Sequence, residues 1–457
     1  MAELKRVLGL WSAVAIVVGT VIGSGIFLVP RTMIHHVGSV EWVFAVWVVG
    51  GLLSLAGALT YAELAAMLPE AGGEYVYLNE AYGPVWGYLY GWTQMWVAKS
   101  GSIATLATGF FYYLTNFWPG LEQVWARVPF AGDNGAPLEI RAGQVFAMFL
   151  IMSLAALNYF GVRVGGNVQV AVTVAKVGLI AVVIVAGLFF APARATTAIA
   201  MPADAATGTT IAGFVAALVA ALWAYDGWNN VGMVASEVRD PRRNLPLALI
   251  WGTAGVIGIY LLANLAYFHV LSAAEVATTN RVAAEMMRRI LGTGGANAVA
   301  VAAMISIFAA LNGSILTGSR VPYAMARDGL FFRSFARVHP AFHTPGVSIL
   351  GLSAWAALVV LSGRYDQLLT FVIFASWLLY GMTTAAVFVL RRKRPDLERP
   401  YRTLGYPVVP ALFVIAALLI EVVTVMNSPR ESILGIVLIA VGLPFYFLWK
   451  RRKPLLR

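Results

Sequence analysis

Cysteine is absent from the chain, which excludes disulfides, thiolate metal sites and cysteine nucleophiles and leaves the compartment open. Charge is scarce: Asp, Glu, Lys and Arg together make up 12% of the residues. No HExxH or GxSxG pattern occurs, so the constellations of a metalloprotease or a serine hydrolase are missing. There is also no low-complexity tract and no separate soluble domain of the kind a receptor or sensor would add. What fills the chain is apolar: 60% of the 457 residues are hydrophobic, and the mean hydropathy is +0.78. No soluble core absorbs that much apolar chain, so the sequence reads as a polytopic membrane protein. Lys5 and Arg6 ahead of a long apolar stretch mimic a signal peptide. The stretch is too long for an h-region and lacks a clean cleavage pattern, so a retained first span is expected.

Apolar runs separated by turn residues place spans near 8–30, 42–68, 84–116, 144–161, 167–191, 211–235, 247–271, 297–325, 346–362, 367–390, 408–426 and 433–449. Twelve spans put both termini on one side. Counted that way, the larger share of the 32 Lys and Arg residues falls on the side of the termini, including the 391–394 run and the basic residues from Lys450 to Arg457. The positive-inside rule then makes that side cytoplasmic. The net charge of +11 is thus a topology signal before it is a sign of nucleic acid or of anionic lipid. The stretches 117–140 and 192–208 read as loops, and 272–295 as a short amphipathic helix lying over the outer face.

The most telling run is Gly19-Thr20-Val21-Ile22-Gly23-Ser24-Gly25-Ile26-Phe27, in the middle of the first span. Each glycine costs a helix roughly 1 kcal/mol relative to alanine. A helix that opens at mid-membrane gains from them, because its freed N–H groups form an anion site. The bland alternative is that Gly19 and Gly23 are a GxxxG packing contact. A second breaker cluster, Asp226-Gly227-Trp228-Asn229, lies in the sixth span. Paired interruptions at matching positions of two halves point to a transporter's binding site. Five spans per unit make the second copy run upside down: 1–191 is expected to be one repeat, 192–391 its inverted counterpart, and 392–457 spans eleven and twelve with a basic tail.

GSGIF after an apolar run, Tyr61-Ala62-Glu63-Leu64, Gly72-Gly73-Glu74-Tyr75, Ala224 to Asn229 and Glu237 to Pro246 together resemble the L-type amino acid transporter family. Leu311-Asn312-Gly313-Ser314, Ser319-Arg320 and Arg327-Asp328-Gly329 carry the same resemblance, which extends over about residues 5–400. This family lies within the amino acid–polyamine–organocation superfamily. The resemblance implies an all-α membrane protein of twelve helices with a LeuT-type five-plus-five inverted repeat and discontinuous helices 1 and 6. It also implies sodium-independent amino acid transport, often by exchange.

An amino acid zwitterion needs an anion site and a cation site a few ångströms apart. Backbone N–H groups of Ser24, Gly25 and Ile26 are the expected carboxylate site. Carbonyls of Ile22, Trp223 and Asp226 are the expected amino-group site, a placement the resemblance implies. Asp226 is an ionisable group in mid-span and therefore a functional candidate. It could pair with a cationic substrate side chain, or it could simply cap the outgoing half-helix. Bacterial relatives with neutral substrates can carry the same aspartate. Trp223 reads as an outer gate or as packing, and Asn229 as a polar substrate contact. Asn230 departs from the hydrophobic or aromatic residue of mammalian relatives.

Lys176 stands at the family's intramembrane lysine, where it could replace a sodium ion by linking the first span to Ser314 or nearby carbonyls of span eight; snorkelling is the alternative. Lys99 has no assigned role. Glu63 and Glu74 read as gate or cap residues, and Arg320, Arg327 and Asp328 as an inner-gate ion network. His339 and His343 have metal-ligand spacing but flank Pro340 in a loop. The expectation is an inner-membrane exchanger of neutral amino acids, with cationic substrates and proton coupling as rivals. It calls for no cofactor, no nucleic acid and no disulfide-linked subunit, and for a monomer in the bilayer.

Overall fold

The computed structural model describes residues 3–129, 137–191, 210–362, 365–427 and 429–450, without side chains for 365–375, 427 and 431. Helices α1 (Leu10–Val21) and α2 (Gly25–Val37) are two halves of one interrupted element, bent by 42°. The long helix α3 (Val40–Met67) follows, with Ser39 at its N-cap accepting from the Trp42 N–H. The predicted third span begins later than the helical structure does. Helix α4 (Glu74–Tyr82) precedes it, and the span itself is α5 (Pro84–Thr93), a π-helical turn (Gln94–Ala98) and α6 (Lys99–Leu114). The following loop is not featureless. Strands β1 (Val124–Val128) and β2 (Leu138–Arg141) pair antiparallel, a departure from a purely helical fold.

Helices α7 (Ala142–Tyr159) and α8 (Val162–Phe189) come next, and the expected 192–208 loop lies outside the described residues. Helix α9 (Ile211–Tyr225) stops at the second breaker cluster, and α10 (Asn230–Met233) resumes beyond it. Helix α11 (Pro241–Val270) starts with proline, whose missing N–H is no loss at a first turn. The amphipathic segment is realised as α12 (Ala273–Thr278), fastened by a Ser272/Glu275 capping box, and the start of α13 (Val282–Gly318), which kinks at Gly292. The chain ends through α14 (Arg320–Arg327), α15 (Gly346–Val360), α16 (Tyr365–Lys393), α17 (Val408–Asn427), α18 (Pro429–Ala440) and α19 (Gly442–Lys450).

By length and composition, seven described helices can cross a membrane, and the bent α1–α2 pair makes eight. The shortfall from twelve has visible causes. Predicted span three is broken into shorter pieces, α9 and α15 hold only 15 residues each, and the tenth span, α16, is described only in part. Exposed Val174, Val182 and Phe189 on α8 and Leu418, Leu419 and Val422 on α17 give these helices an apolar outer surface suited to lipid.

Helix α1 lies at the centre, packed on α8, α11 and α13, while α2 packs on α9 and α3 on α11. Small residues permit this closeness. A Cβ on Gly19 would fall 1.9 Å from the Gln169 amide nitrogen of α8, so Gly19 is a packing contact rather than part of the opening. Ahead of α1, a short extended segment ties the chain's start to the far side of the second break. Val7 and Leu8 donate to the Glu237 carbonyl at 2.9 Å each, and Arg239 donates back to Leu8 at 2.8 Å.

Candidate substrate site

Two helix interruptions meet in the interior. The first spans 22–24, where Ile22 turns extended (φ −74°, ψ 92°). The second runs from Asp226, also extended, through Gly227 at φ +109°, a left-handed angle that only glycine adopts without strain. The breaks interlock closely. Thr20 donates its hydroxyl to the Gly227 carbonyl at 2.8 Å, and a Cβ on Gly25 would lie 2.8 Å from the Ala224 Cβ. A cavity opens between them. Ser24 and Gly25 line it from the first break, Trp223, Asp226 and Asn230 from the second, and Ser102, Thr105 and Ser314 from α6 and α13.

Of the expected residues, the structure therefore brings Ser24, Gly25, Trp223, Asp226 and Ser314 to one cavity. Ile26 is fully buried in the first turn of α2, where N–H groups have no preceding helical turn to bond. Two placements differ. The Ile22 carbonyl already accepts from Lys176 Nζ at 2.6 Å and from Ser306 Oγ at 2.9 Å. Both lone pairs are thereby used, so this carbonyl is not available to a substrate amine. Asn229 is buried and points away, its amide donating to the Glu74 carboxylate; the neighbouring Asn230 faces the cavity instead. The reason is the Gly72-Gly73 turn, which presses on α10 (Gly72 N–H to Met233 carbonyl, 2.9 Å) and delivers Glu74 to Asn229.

Lys176 is fully buried and does not snorkel. Its ammonium also reaches the Gly19 carbonyl at 2.8 Å, so it grips the last turn of α1 at two carbonyls. The partner from α13 is Ser306, about two helical turns before the expected Ser314, which serves the cavity wall. Lys99 donates to Asn230 Oδ1 at 2.7 Å, and Asp226 Oδ1 accepts from the Tyr380 hydroxyl at 2.9 Å. Thr20, Ser306 and Tyr380 were not singled out in the sequence. A lone hydroxyl on an apolar helix carries no signal of what it will face.

The ion network around the ends of the helices is arranged differently from expectation. Arg320 pairs in a bidentate, fully buried bridge with Glu237, at 2.7 and 3.0 Å. Asp328 accepts from the Tyr75 hydroxyl at 2.7 Å, and the Arg327 guanidinium lies 6.0 Å from the Tyr323 ring. Glu63 acts as a tie rather than a helix cap, accepting two bonds from Arg391 and one from the Thr403 N–H. His339 Nδ1 accepts from the Ala341 and Phe342 N–H groups, and His343 has a left-handed backbone, so the pair is not on a helix face. Among the described residues no three carboxylates and histidines are placed to hold a metal ion.

Comparison with known proteins bears on this arrangement. The family model described as amino acid permease matches residues 8–448. The chain is 33% identical over 453 residues to the serine/threonine exchanger SteT of Bacillus subtilis, covering 98% of each protein. It is 32% identical over 449 residues to the b(0,+)-type amino acid transporter 1 of Mus musculus, covering 98% of this chain and 88% of that protein. The human cystine/glutamate transporter is 31% identical over 448 residues, with 98% and 86% covered. The chain belongs to the amino acid permease family of the amino acid–polyamine–organocation superfamily, and is a membrane transporter rather than an enzyme.

Proposed function

We propose that the protein is a sodium-independent exchanger of neutral L-amino acids, working by alternating access in a bacterial inner membrane with both termini in the cytoplasm. In this reading the chain makes twelve crossings and the two interrupted helices are equivalent members of inverted five-helix repeats. The substrate carboxylate sits at the start of α2, on the N–H groups around Ser24, Gly25 and Ile26. Its amino group takes backbone carbonyls of the second break, at Trp223 and Asp226, and Trp223 covers it. Neutral substrates and exchange both agree with the likeness to the serine/threonine exchanger of Bacillus subtilis.

The observation that carries the proposal is Lys176. Its ammonium holds the Gly19 and Ile22 carbonyls, and Ser306 of α13 shares the second of these. A fixed positive charge there does the joining that a bound sodium ion would otherwise do. Counterflow of labelled threonine into proteoliposomes should be unchanged when choline replaces sodium and near zero in Lys176→Ala. Uptake by the wild type that rises with sodium would reject the proposal. A proton-coupled reading is favoured by one observation, the half-buried carboxylate of Asp226 on the cavity wall with the buried carboxylate of Glu74 behind it. Uptake against no internal substrate, driven by an inward proton gradient alone, would decide for it.

A further inference from the structure

Lys99 has no part in the mechanism just described, yet the structure invests in its position. It is the first residue of α6, directly after the π-helical turn Gln94–Ala98, a distortion that re-aims the side chains following it. Its stem lies against Gly318, where a Cβ would come within 2.4 Å of the lysine Cγ, so α13 leaves room for the lysine by having no side chain. The ammonium is buried, donates to Asn230 Oδ1 at 2.7 Å, and lies within electrostatic reach of the carboxylates of Asp226 and Glu74. Glu74 is held by the Asn229 amide behind the cavity wall, whereas Asp226 and Asn230 are both on the wall.

The donor inventory then fixes the chemistry. An ammonium only donates, so Asn230 must turn its oxygen to Lys99. Its Nδ2 is left on the side of Gly227, where a Cβ would stand 3.3 Å from it. The cavity therefore presents an N–H donor from Asn230 beside an acceptor from Asp226, with a positive charge behind both. A buried positive charge offsets Asp226 and lowers its pull on an incoming cation.

We propose that Lys99 is a positioning residue that sets substrate choice: by orienting Asn230 and offsetting Asp226 it makes this a subsite for uncharged side chains that both donate and accept hydrogen bonds, hydroxyls and carboxamides. The inference rests on the amino acid transport proposed above and deepens it. A site built to hydrogen-bond a side chain rejects analogues that lack the group far more strongly than an apolar pocket rejects an extra one.

The test is competition for labelled threonine counterflow in proteoliposomes by unlabelled threonine, glutamine, leucine and arginine. If no amino acid drives counterflow in the wild type, the transport proposal fails, not this one. Lys99→Met should raise the effectiveness of arginine relative to threonine at least tenfold, and Lys99→Arg should stay within threefold of the wild type. Adding Asp226→Asn to Lys99→Met should return the ratio toward its original value, which a merely structural role for Lys99 would not produce. Asn230→Asp keeps an acceptor for Lys99 and removes the cavity-side N–H, so threonine and glutamine should lose about tenfold against leucine. The inference is overturned if Lys99→Met weakens all competitors in proportion, or if Asn230→Asp leaves the ranking unchanged. Should Lys99→Met not fold, Asn230→Asp decides alone.

Discussion

Arg320 and Glu237 are each fully removed from solvent, and the arginine spends further donors on the Leu316 carbonyl and the Ser319 hydroxyl. A buried pair of this kind adds little net stability over apolar residues of similar size, but removing one partner strands a charge, at about 3–5 kcal/mol. Glu237→Gln is therefore expected to lower thermal stability in detergent sharply, and Arg320→Met with Glu237→Leu to lower it much less; equal losses in both would contradict this account. Glycines invite a second comparison. The Gly25 position is closed by Ala224 backbone at 2.9 Å, whereas a Cβ on Gly23 meets only Leu106 at 3.5 Å and Ala310 at 3.9 Å. Gly25→Ala should cut counterflow more than tenfold and Gly23→Ala less than threefold, with both proteins monodisperse. The sequence made Gly19, Gly23 and Gly25 look alike, because spacing reports the type of residue and not the neighbour it will meet.

At the scale of elements, the end of α2 is held by α12. Arg31 Nε donates to the Ala277 carbonyl at 3.2 Å, His35 Nε2 lies 2.8 Å from the same oxygen, and Arg31 also reaches Asn280. Helix α12 is in turn fixed by Glu275, which accepts from Ser272 and from Arg289. Burial alone would raise the Glu275 pKa, but Arg289 and the Ser272 N–H and hydroxyl outweigh it and bring the group from 4.5 to about 2. Because the folded value is depressed, the clamp is fully present above pH about 4.5 and is lost as pH falls through about 2. The protection factors of 272–278, relative to intrinsic exchange at each pH, should thus fall on acidification through that window, and Glu275→Gln should show low protection throughout it. This element was legible in advance as an amphipathic segment because Glu275, Arg281, Glu285 and the Arg288–Arg289 pair interrupt an apolar run. Its partner was not legible, since nothing in a local pattern says that Arg31, some 240 residues earlier, will lie beneath it.

Across the whole molecule, the features readable from sequence were those that depend on composition and local backbone chemistry. They include the apolar bundle, the two interruptions, and the lysine in α8 that stays buried. Those that needed three dimensions were missed: the hydroxyl of Ser306 chosen over Ser314, the exchange of roles between Asn229 and Asn230, and Glu237 as the partner of Arg320. Adjacent residues at a helix break point in directions set by how neighbouring turns press on it, here Gly72-Gly73, and no periodicity encodes that. The β1–β2 pair was missed for a related reason, as two strands of five and four residues give too weak an alternation to stand out from a loop.

The extended start of the chain has a consequence for movement. Val7 and Leu8 are bonded to the carbonyl of Glu237, whose carboxylate grips Arg320. The stem of α1 and the segment following α10 are therefore yoked, and α14 is harnessed to both through one acidic residue. Tilting any one of these alone would have to break the backbone bonds at Glu237 or strand its buried charge pair.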